Sequence, residues 1–263
     1  MQPVLSSNQE LSGQVAVVTG SSSGIGRAVA LELAAAGAAV VIHARKSVAE
    51  ANKVVEQIKS GGGAAIAILA DIADPADQAR LVSEACAWRA PIDIWVNNAG
   101  ADVLTGAAAK WSFEQKLAHL WQVDVCGTIA LSRLIGARMR ERGTGVIVNT
   151  GWDQVEVGMA GDSGELFAAT KGAIMAFSKS LAQSLAPQVR VNCVAPGWIK
   201  TSWGAQASEA WQRRASNESL VARWGEPADV ARAVRYLVSP GASFINGQVL
   251  NVNGGFRPTT SHA

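Results

Sequence analysis

Short apolar, β-branched segments alternate along this chain with longer, alanine-rich segments of helical character. Apolar residues at every position of a short segment indicate a strand that is covered on both faces. Helices between such strands indicate right-handed crossovers within a parallel sheet. The strands are predicted at Val15–Thr19, Ala39–Ile42, Ala65–Leu69, Ile92–Val96, Val146–Asn149, Val189–Asn192 and Gln248–Val252. The pattern therefore predicts an α/β fold, with a doubly wound parallel sheet of about seven strands and helices on both faces.

Length and composition favour a single domain. The chain has 263 residues, of which 49% are hydrophobic and 17% are charged. This is enough apolar material for one large core, and no linker-like change of composition interrupts the chain. We predict one domain over residues 1–263, with a lid at about 198–224, a stretch that has no strand of its own.

Charge and residue usage argue against several functional classes. The net charge is +2, from 23 basic and 21 acidic residues, and the basic residues form only short runs, so we expect no nucleic-acid binding. The three cysteines and three histidines are scattered, so we expect neither disulfides nor a metal site. No run of about 18 apolar residues is present, and Met1–Gln14 lacks the pattern of a secretory signal. We expect a cytoplasmic protein that does not bind membranes.

A glycine-rich segment follows the first predicted strand and opens the next helix. It spans Thr19–Gly26 with the spacing G-x-x-x-G-x-G, which differs from the G-x-G-x-x-G pattern. Between a strand and a helix, such glycines let the backbone approach a pyrophosphate, and the helix N-terminus supplies unpaired N–H groups. The segment predicts a dinucleotide site in a Rossmann-type fold. The expected contacts are Gly20, Ser22, Ser23, Gly24, Ile25 and Gly26.

The end of the second predicted strand indicates which dinucleotide binds. An NAD site usually has an acidic residue about 20 residues beyond the glycines, where it holds the ribose 2′-hydroxyl. This chain has Arg45 and Lys46 there and no carboxylate. Two cations suit a 2′-phosphate, although a basic pair at a strand exit is also a common surface feature. The pattern favours NADP(H).

With these motifs, the sequence resembles the short-chain dehydrogenase/reductase family from about Leu11 to Phe256. The similarity also rests on Asp71 after the third strand, Asn97–Gly100 after the fourth and Pro196-Gly197 after the sixth. The resemblance implies a seven-stranded sheet, an oxidoreductase and a homotetramer. It further implies cofactor contacts at Asp71, Ile72, Asn98, Ala99, Gly100, Lys171, Pro196, Gly197, Ile199 and Thr201.

The catalytic positions depart from the family pattern. The family uses Asn, Ser, Tyr and Lys, with Tyr and Lys spaced as YxxxK. Here Phe167 and Lys171 have that spacing, Asp124 stands at the Asn position, and Gly151-Trp152 stands at the Ser position. The only tyrosine, Tyr236, belongs to a late predicted helix. The resemblance implies that Lys171 can still bind the nicotinamide ribose.

Without the phenol, ordinary ketone reduction is disfavoured. A positioned acid contributes roughly 10²–10⁴-fold to such a reaction, and Phe167 cannot donate a proton. Hydride delivery to an iminium carbon gives a neutral amine and requires no proton at that step. We therefore predict an NADP(H)-dependent oxidoreductase that reduces a C=N bond or a flat heterocycle. Its substrate would be cationic or aromatic, held by acids and by aromatic walls including Trp152 and Phe167, with Asp153 or Asp124 as the acid.

Other interpretations remain open from the sequence. Asp153 can instead cap a turn, and Asp124 can instead hold a backbone N–H. A catalytically inactive NADP(H)-binding protein, serving as a sensor or a subunit partner, would explain why three catalytic groups differ at once. A third possibility is a non-redox enzyme in which the dinucleotide has only a structural role. No feature of the sequence specifically supports it.

Overall fold

A computed structural model of the chain describes residues 9–201, 204 and 207–257. The strands are β1 Val15–Val18, β2 Ala39–Ala44, β3 Ala65–Leu69, β4 Ile94–Asn97, β5 Gly145–Thr150, β6 Val189–Pro196 and β7 Val249–Val252. The helices are α1 Gly24–Ala35, α2 Val48–Ser60, α3 Pro75–Trp88, α4 Phe113–Leu120, α5 Gly127–Arg142, α6 Asp162–Leu185, α7 Glu209–Glu218 and α8 Pro227–Val238. A π-helical turn, Trp121–Cys126, joins α4 to α5.

The strands form one parallel sheet in the order β3-β2-β1-β4-β5-β6-β7. The chain first builds outward from β1 to β3 and then returns to place β4 on the other side of β1. This reversal leaves a crevice at the carboxyl ends of β1 and β4, where doubly wound sheets bind their ligands. The predicted fold class is confirmed.

Two hydrophobic cores cover the two faces of the sheet. In β1, Ala16 and Val18 pack in the core that contains α1, α2 and α8, whereas Val15 and Val17 pack in the core that contains α3, α5 and α6. Successive side chains of a strand point to opposite faces, so an entirely apolar β1 serves both cores. Within the described residues, no helix is long and apolar enough to cross a bilayer.

Several boundaries differ from the sequence-based ones. The fourth strand begins at Ile94 rather than Ile92, although the backbone of Asp93 already exchanges hydrogen bonds with Val15 and Val146. The sixth strand continues to Pro196 rather than ending at Asn192, because its second half pairs with both β5 and β7. The longer β6 carries the chain directly to the edge of the crevice.

Candidate active site

The β1–α1 connection forms a cradle that requires glycine at two positions for backbone conformation and at a third for close packing. Gly20 has a φ of +63° and Gly24 a φ of +54°, conformations that favour glycine. A Cβ atom on Gly26 would collide with the carbonyl oxygen of Gly20 and lie 2.5 Å from Nδ2 of Asn98. The cradle ends at the amino terminus of α1, whose first N–H groups favour a phosphate. The residues present therefore fit the pyrophosphate of a dinucleotide.

A cavity of about 540 Å³ opens above this cradle, at the carboxyl ends of the strands. The predicted cofactor residues that line it are Gly20, Ser22, Ser23, Gly24, Ile25, Arg45, Lys46, Asp71, Ile72, Asn98, Ala99, Gly100 and Thr201. Residues that are far apart in sequence thus meet at one site of a size usual for a bound cofactor. Below, we call it the dinucleotide cavity.

The end of the dinucleotide cavity beyond β2 carries positive charge. Arg45 and Lys46 are exposed and line the cavity directly after β2. Asp71 lines it after β3, and its carboxylate accepts a hydrogen bond from the backbone N–H of Ala73 at 3.0 Å. Within the described part of the chain, the side chains of Arg45 and Lys46 form no ion pair and no hydrogen bond. Both cations can therefore turn toward an anionic ligand.

His43, at the end of β2, holds the glycine-rich loop in place. Its Nδ1 accepts a hydrogen bond from the backbone N–H of Gly20 at 3.0 Å. Its Nε2 lies 3.0 Å from the carbonyl oxygen of Ala70 and therefore donates to it. Burial lowers the pKa of His43 to about 4, so the ring is neutral at physiological pH. His43 was not predicted as a site residue, although a lone histidine in an otherwise apolar strand next to the loop was a usable signal.

Asn98 and Thr19 fasten the ends of β4 and β1 together. The backbone N–H groups of Asn98 and Ala99 donate to Oγ1 of Thr19 at 2.9 and 3.0 Å. The side-chain amide of Asn98 donates to the carbonyl oxygens of Thr19 and Gly20 at 3.1 and 3.3 Å. Asn98 thus fixes the floor of the dinucleotide cavity.

A second cleft, of about 530 Å³, adjoins the dinucleotide cavity. Ile25 and Thr201 line both spaces. The cleft is further lined by Leu104, Thr150, Gly151, Trp152, Met159, Ser163, Phe167, Lys171, Pro196, Gly197, Trp198, Ile199 and Trp211. Below, we call it the aromatic cleft. It brings Lys171, Phe167 and Trp152 together, and it adds hydroxyl groups, at Ser163 and Thr150, that sequence analysis did not single out.

Lys171 forms a buried ion pair with Asp124. Nζ of Lys171 lies 2.9 Å from Oδ2 of Asp124, whose side chain is 2% exposed. The other carboxylate oxygen accepts a hydrogen bond from the backbone N–H of Ala101 at 2.8 Å. Asp124 belongs to the π-helical turn, an irregularity that often marks functional sites. Both of its oxygens are therefore engaged, one of them with the lysine.

Phe167 and Trp152 form part of the wall of the aromatic cleft. Phe167 lies one turn before Lys171 on α6, and its ring meets that of Trp152 edge to face, with centroids 6.2 Å apart. Tyr236 lies on α8, half-exposed, and is not among the residues that line the cleft. The side chain at position 167 offers a packing surface and no proton.

Asp153 lies behind the aromatic cleft and does not line it. The residue is 6% exposed, and its carboxylate accepts a hydrogen bond from the amide of Asn253 at 3.0 Å. A Cβ atom on Gly197 would lie 3.0 Å from the same carboxylate. Burial raises the pKa of Asp153 to about 6. Since Asp124 is also absent from the cleft lining, the anionic wall expected from the sequence does not form among the described residues.

Tryptophans from the predicted lid close the far side of the aromatic cleft. The rings of Trp198 and Trp211 lie 5.2 Å apart, and Nε1 of Trp198 donates to the carboxylate of Glu218 at 2.7 Å. The guanidinium of Arg214 lies 5.6 Å from the ring of Trp198 and 4.9 Å from that of Trp211, and it pairs with Glu218 at 2.7 Å. Helix α7 therefore supplies a braced aromatic surface. Positions 202, 203, 205 and 206 of the predicted lid lie outside the described residues.

Comparison with known proteins places this site in a family. Residues 20–257 match the family model described as enoyl-(acyl carrier protein) reductase. An uncharacterized oxidoreductase of Methylorubrum extorquens is 36% identical over 252 residues, which cover 94% of this chain and 99% of that protein. A 3-oxoacyl-[acyl-carrier-protein] reductase of Synechocystis is 35% identical over 255 residues, covering 93% and 97%.

Solved structures agree with the sequence matches. A 7α-hydroxysteroid dehydrogenase complexed with NADH and 7-oxo glycochenodeoxycholic acid superposes with a TM-score of 0.87 at 29% identity, covering 96% of this chain and 98% of that one. A short chain dehydrogenase from Burkholderia cenocepacia in complex with NADP gives 0.83 at 35% identity, covering 94% and 98%. Both matches cover nearly the whole length of this chain. This chain belongs to the short-chain dehydrogenase/reductase family.

Proposed function

We propose that the protein is a cytoplasmic, NADP(H)-dependent oxidoreductase that reduces a C=N bond in a flat ring substrate. The cofactor half of the proposal is supported by the position of Arg45 and Lys46 on the dinucleotide cavity. The substrate half depends on one observation, the ion pair between Lys171 and Asp124 beside a phenyl wall. When bound, NADPH supplies the hydride.

The charge at the end of β2 supports selection of the phosphorylated cofactor. A 2′-phosphate carries negative charge that guanidinium and ammonium groups bind by charge-assisted hydrogen bonds. The ribose hydroxyl of NAD(H) gains nothing from those cations, and β2 ends without the carboxylate that would hold it. Arg45 and Lys46 therefore discriminate between the two cofactors by charge.

Calorimetric titration tests this selection. We expect NADPH to bind at least about tenfold more tightly than NADH, and Arg45→Ala to remove most of that difference, because one charge-assisted contact is worth about 1.5–3 kcal/mol. Lys59→Ala is the matched control, since Lys59 is an exposed cation of α2 that does not line the cavity. Equal affinity of the wild-type protein for both cofactors would refute the selection, and binding of neither would refute the cofactor itself.

The aromatic cleft suits C=N reduction better than ketone reduction. Reducing a ketone leaves an alkoxide that needs a proton, and the described residues lining the cleft include no phenol, carboxylic acid or imidazole. Hydride addition to an iminium carbon gives a neutral amine, and this step needs no proton donor. Asp124 balances the charge of Lys171 at 2.9 Å, so a cationic C=N group does not face an uncompensated ammonium. We propose that Asp124 orients and neutralises Lys171, and that Asp153 supports Trp152 from behind.

Turnover of NADPH with a panel of cyclic imines, dihydropterins and ketones tests the chemistry. We expect imines to react and simple ketones to be poor substrates. Asp124→Asn should lower kcat/KM for imines by about tenfold or more, because Lys171 then repels the substrate cation. Phe167→Tyr should create ketone reduction by adding a phenol one turn before Lys171. Asp162→Asn, an exposed acid on the same helix, is the control. Preference for ketones in the wild-type protein would contradict the proposal.

One observation favours an inactive cofactor-binding protein instead. The lysine amine is held by a carboxylate, and the neighbouring position carries a phenyl ring. Such a site can still bind the cofactor ribose through Lys171 without supporting turnover. Tight NADPH binding with no oxidation across the whole panel would establish this alternative, in which the protein serves as a sensor or a subunit partner.

A further inference from the structure

The face of α6 that borders the aromatic cleft carries three side chains in a row. Ser163, Phe167 and Lys171 are spaced four residues apart, so they share one face of the helix, and all three line the cleft. With a rise of 1.5 Å per residue, Ser163 and Lys171 are separated by about 12 Å along the helix axis. The row therefore has a cation at one end, a hydroxyl at the other and an apolar ring between them.

The Lys171 end of this row adjoins the dinucleotide cavity. Lys171 pairs with Asp124, and a Cβ atom on Gly100 would lie 2.9 Å from the carboxylate of Asp124. Gly100 in turn lines the dinucleotide cavity. Ser163, in contrast, lines the aromatic cleft but not the dinucleotide cavity. The hydroxyl thus faces the part of a ligand that is remote from the reacting bond.

The backbone fixes the position of Ser163. Gly161, which precedes α6, has a φ of +91°, a conformation that favours glycine. A Cβ atom on Gly164 would collide with the carbonyl oxygen of Met159, so the approach to the helix packs directly against its first turn. Ser163 is half-buried on that turn. The local backbone geometry therefore fixes where Ser163 stands along the lining of the cleft.

The walls of the cleft between these two ends are aromatic. Trp152 and Phe167 form one edge-to-face pair, and Trp198 and Trp211 form another close pair. Arg214 and Glu218 brace the second pair from the lid. Rigid aromatic surfaces favour flat ligands, because stacking and edge contacts add to the burial of apolar area.

We propose that the aromatic cleft takes a flat, fused-ring substrate that carries a polar group at the end remote from its reacting bond, and that the Ser163 hydroxyl binds this group. The inference rests on the proposed function, since it assumes that the reacting bond lies next to Lys171. A single small ring is too short to span the row from Lys171 to Ser163, whereas fused rings fill it. Ser163 is then a positioning residue that determines specificity.

Calorimetric binding with matched probes tests the substrate class. The probes are 2-acetylnaphthalene, its fully saturated decalin analogue and 6-hydroxy-2-acetylnaphthalene, each titrated into the protein with and without saturating NADP⁺. We expect the flat ketone to bind about tenfold more tightly than the saturated one. The distal hydroxyl should add about another fivefold, the usual value of a neutral hydrogen bond.

Variants separate the role of Ser163 from a general effect on the fold. Ser163→Ala should abolish the gain from the distal hydroxyl and leave the affinity for 2-acetylnaphthalene unchanged. Ser180→Ala, on an exposed position of the same helix, should keep the gain. Equal binding of flat and saturated probes, or a hydroxyl gain that survives Ser163→Ala, would overturn the inference.

The same titrations distinguish this inference from the proposed function. Binding needs no hydride transfer, so ring ligands that bind while no imine, dihydropterin or ketone of the turnover panel oxidises NADPH would support the substrate class and refute the redox activity. NADP⁺ that binds while every ring ligand fails to bind would refute the substrate class alone.

Discussion

Asp153 and His43 are both buried beside the site, and burial disfavours the charged form of each. The pKa of Asp153 rises to about 6 and that of His43 falls to about 4. His43 keeps both of its ring nitrogens bonded in the neutral state. Asp153 keeps one oxygen bonded to Asn253, and its other oxygen has no hydrogen-bond partner among the described residues. The fold thus tolerates a neutral ring well and an ionised Asp153 poorly.

Asp153→Asn should remove a pH-dependent loss of stability. The folded-state pKa of Asp153 lies above its unfolded value of 3.8. Its protonated form therefore favours the fold, and the stability that this form contributes is lost as pH rises from about 4 through about 6. The full effect is about 3 kcal/mol. We expect the free energy of unfolding of the variant, relative to wild type, to increase by up to that amount between pH 4 and pH 8, as measured by denaturant titration.

Asp162→Asn provides the comparison for this experiment, because Asp162 is exposed at the start of α6. It should change the difference from wild type far less than Asp153→Asn does over the same pH range, because an exposed carboxylate interacts only weakly with the helix N-terminus. An equally small change for Asp153→Asn would show that this carboxylate is not penalised by burial. His43 contributes a pH dependence of stability of the opposite sign. Because the wild-type protein and both variants contain His43, this contribution cancels in the differences from wild type.

At the scale of elements, those strands, helices and loops that depend on local sequence pattern could be predicted. Strands such as β1 are apolar throughout because they face two cores, and the glycine-rich loop follows from its place between β1 and α1. These features require no knowledge of distant contacts, so the sheet and the cradle were predictable from local pattern, whereas the cavity residues after the third and fourth strands, such as Asp71 and Asn98, came from the family resemblance.

The π-helical turn at Trp121–Cys126 shows where such prediction stops. No side-chain periodicity distinguishes a single π turn from the α-helices that flank it. Yet this turn places the carboxylate of Asp124 beside Lys171, 47 positions later in the chain. The burial of Asp153 behind Gly197 depends on a similarly distant partner, Asn253. Both acids were predicted to face a substrate because their tertiary partners cannot be identified from local sequence.

At the scale of the whole molecule, the described part of the sheet ends in two edge strands. Within it, β3 pairs with β2 alone and β7 pairs with β6 alone, and an unpaired edge invites association with another chain. Phe244, just before β7, is fully exposed, and Tyr236 and Leu250 are also exposed. An apolar surface beside an open edge is typical of protein interfaces. We propose that this surface contributes to the homotetramer that the family resemblance implies.

Light scattering coupled to size-exclusion chromatography tests the assembly. We expect the mass of a tetramer for the wild-type protein and a smaller species for Phe244→Asp, because a carboxylate buried in an apolar interface is strongly disfavoured. Val48→Asp adds the same charge at another exposed apolar residue, on α2, and should retain the wild-type mass. A wild-type monomer would exclude the tetramer, and an unchanged Phe244→Asp assembly would move the interface elsewhere.

Ile25 and Thr201 border the dinucleotide cavity and the aromatic cleft at once. An occupant of either space becomes part of the surroundings of the other. Thermodynamic linkage then requires reciprocity. If the bound cofactor changes the affinity for the substrate by some factor, the bound substrate changes the affinity for the cofactor by the same factor. Any effect of the cofactor on substrate affinity that passes through these two side chains is therefore matched by an equal effect of the substrate on cofactor affinity.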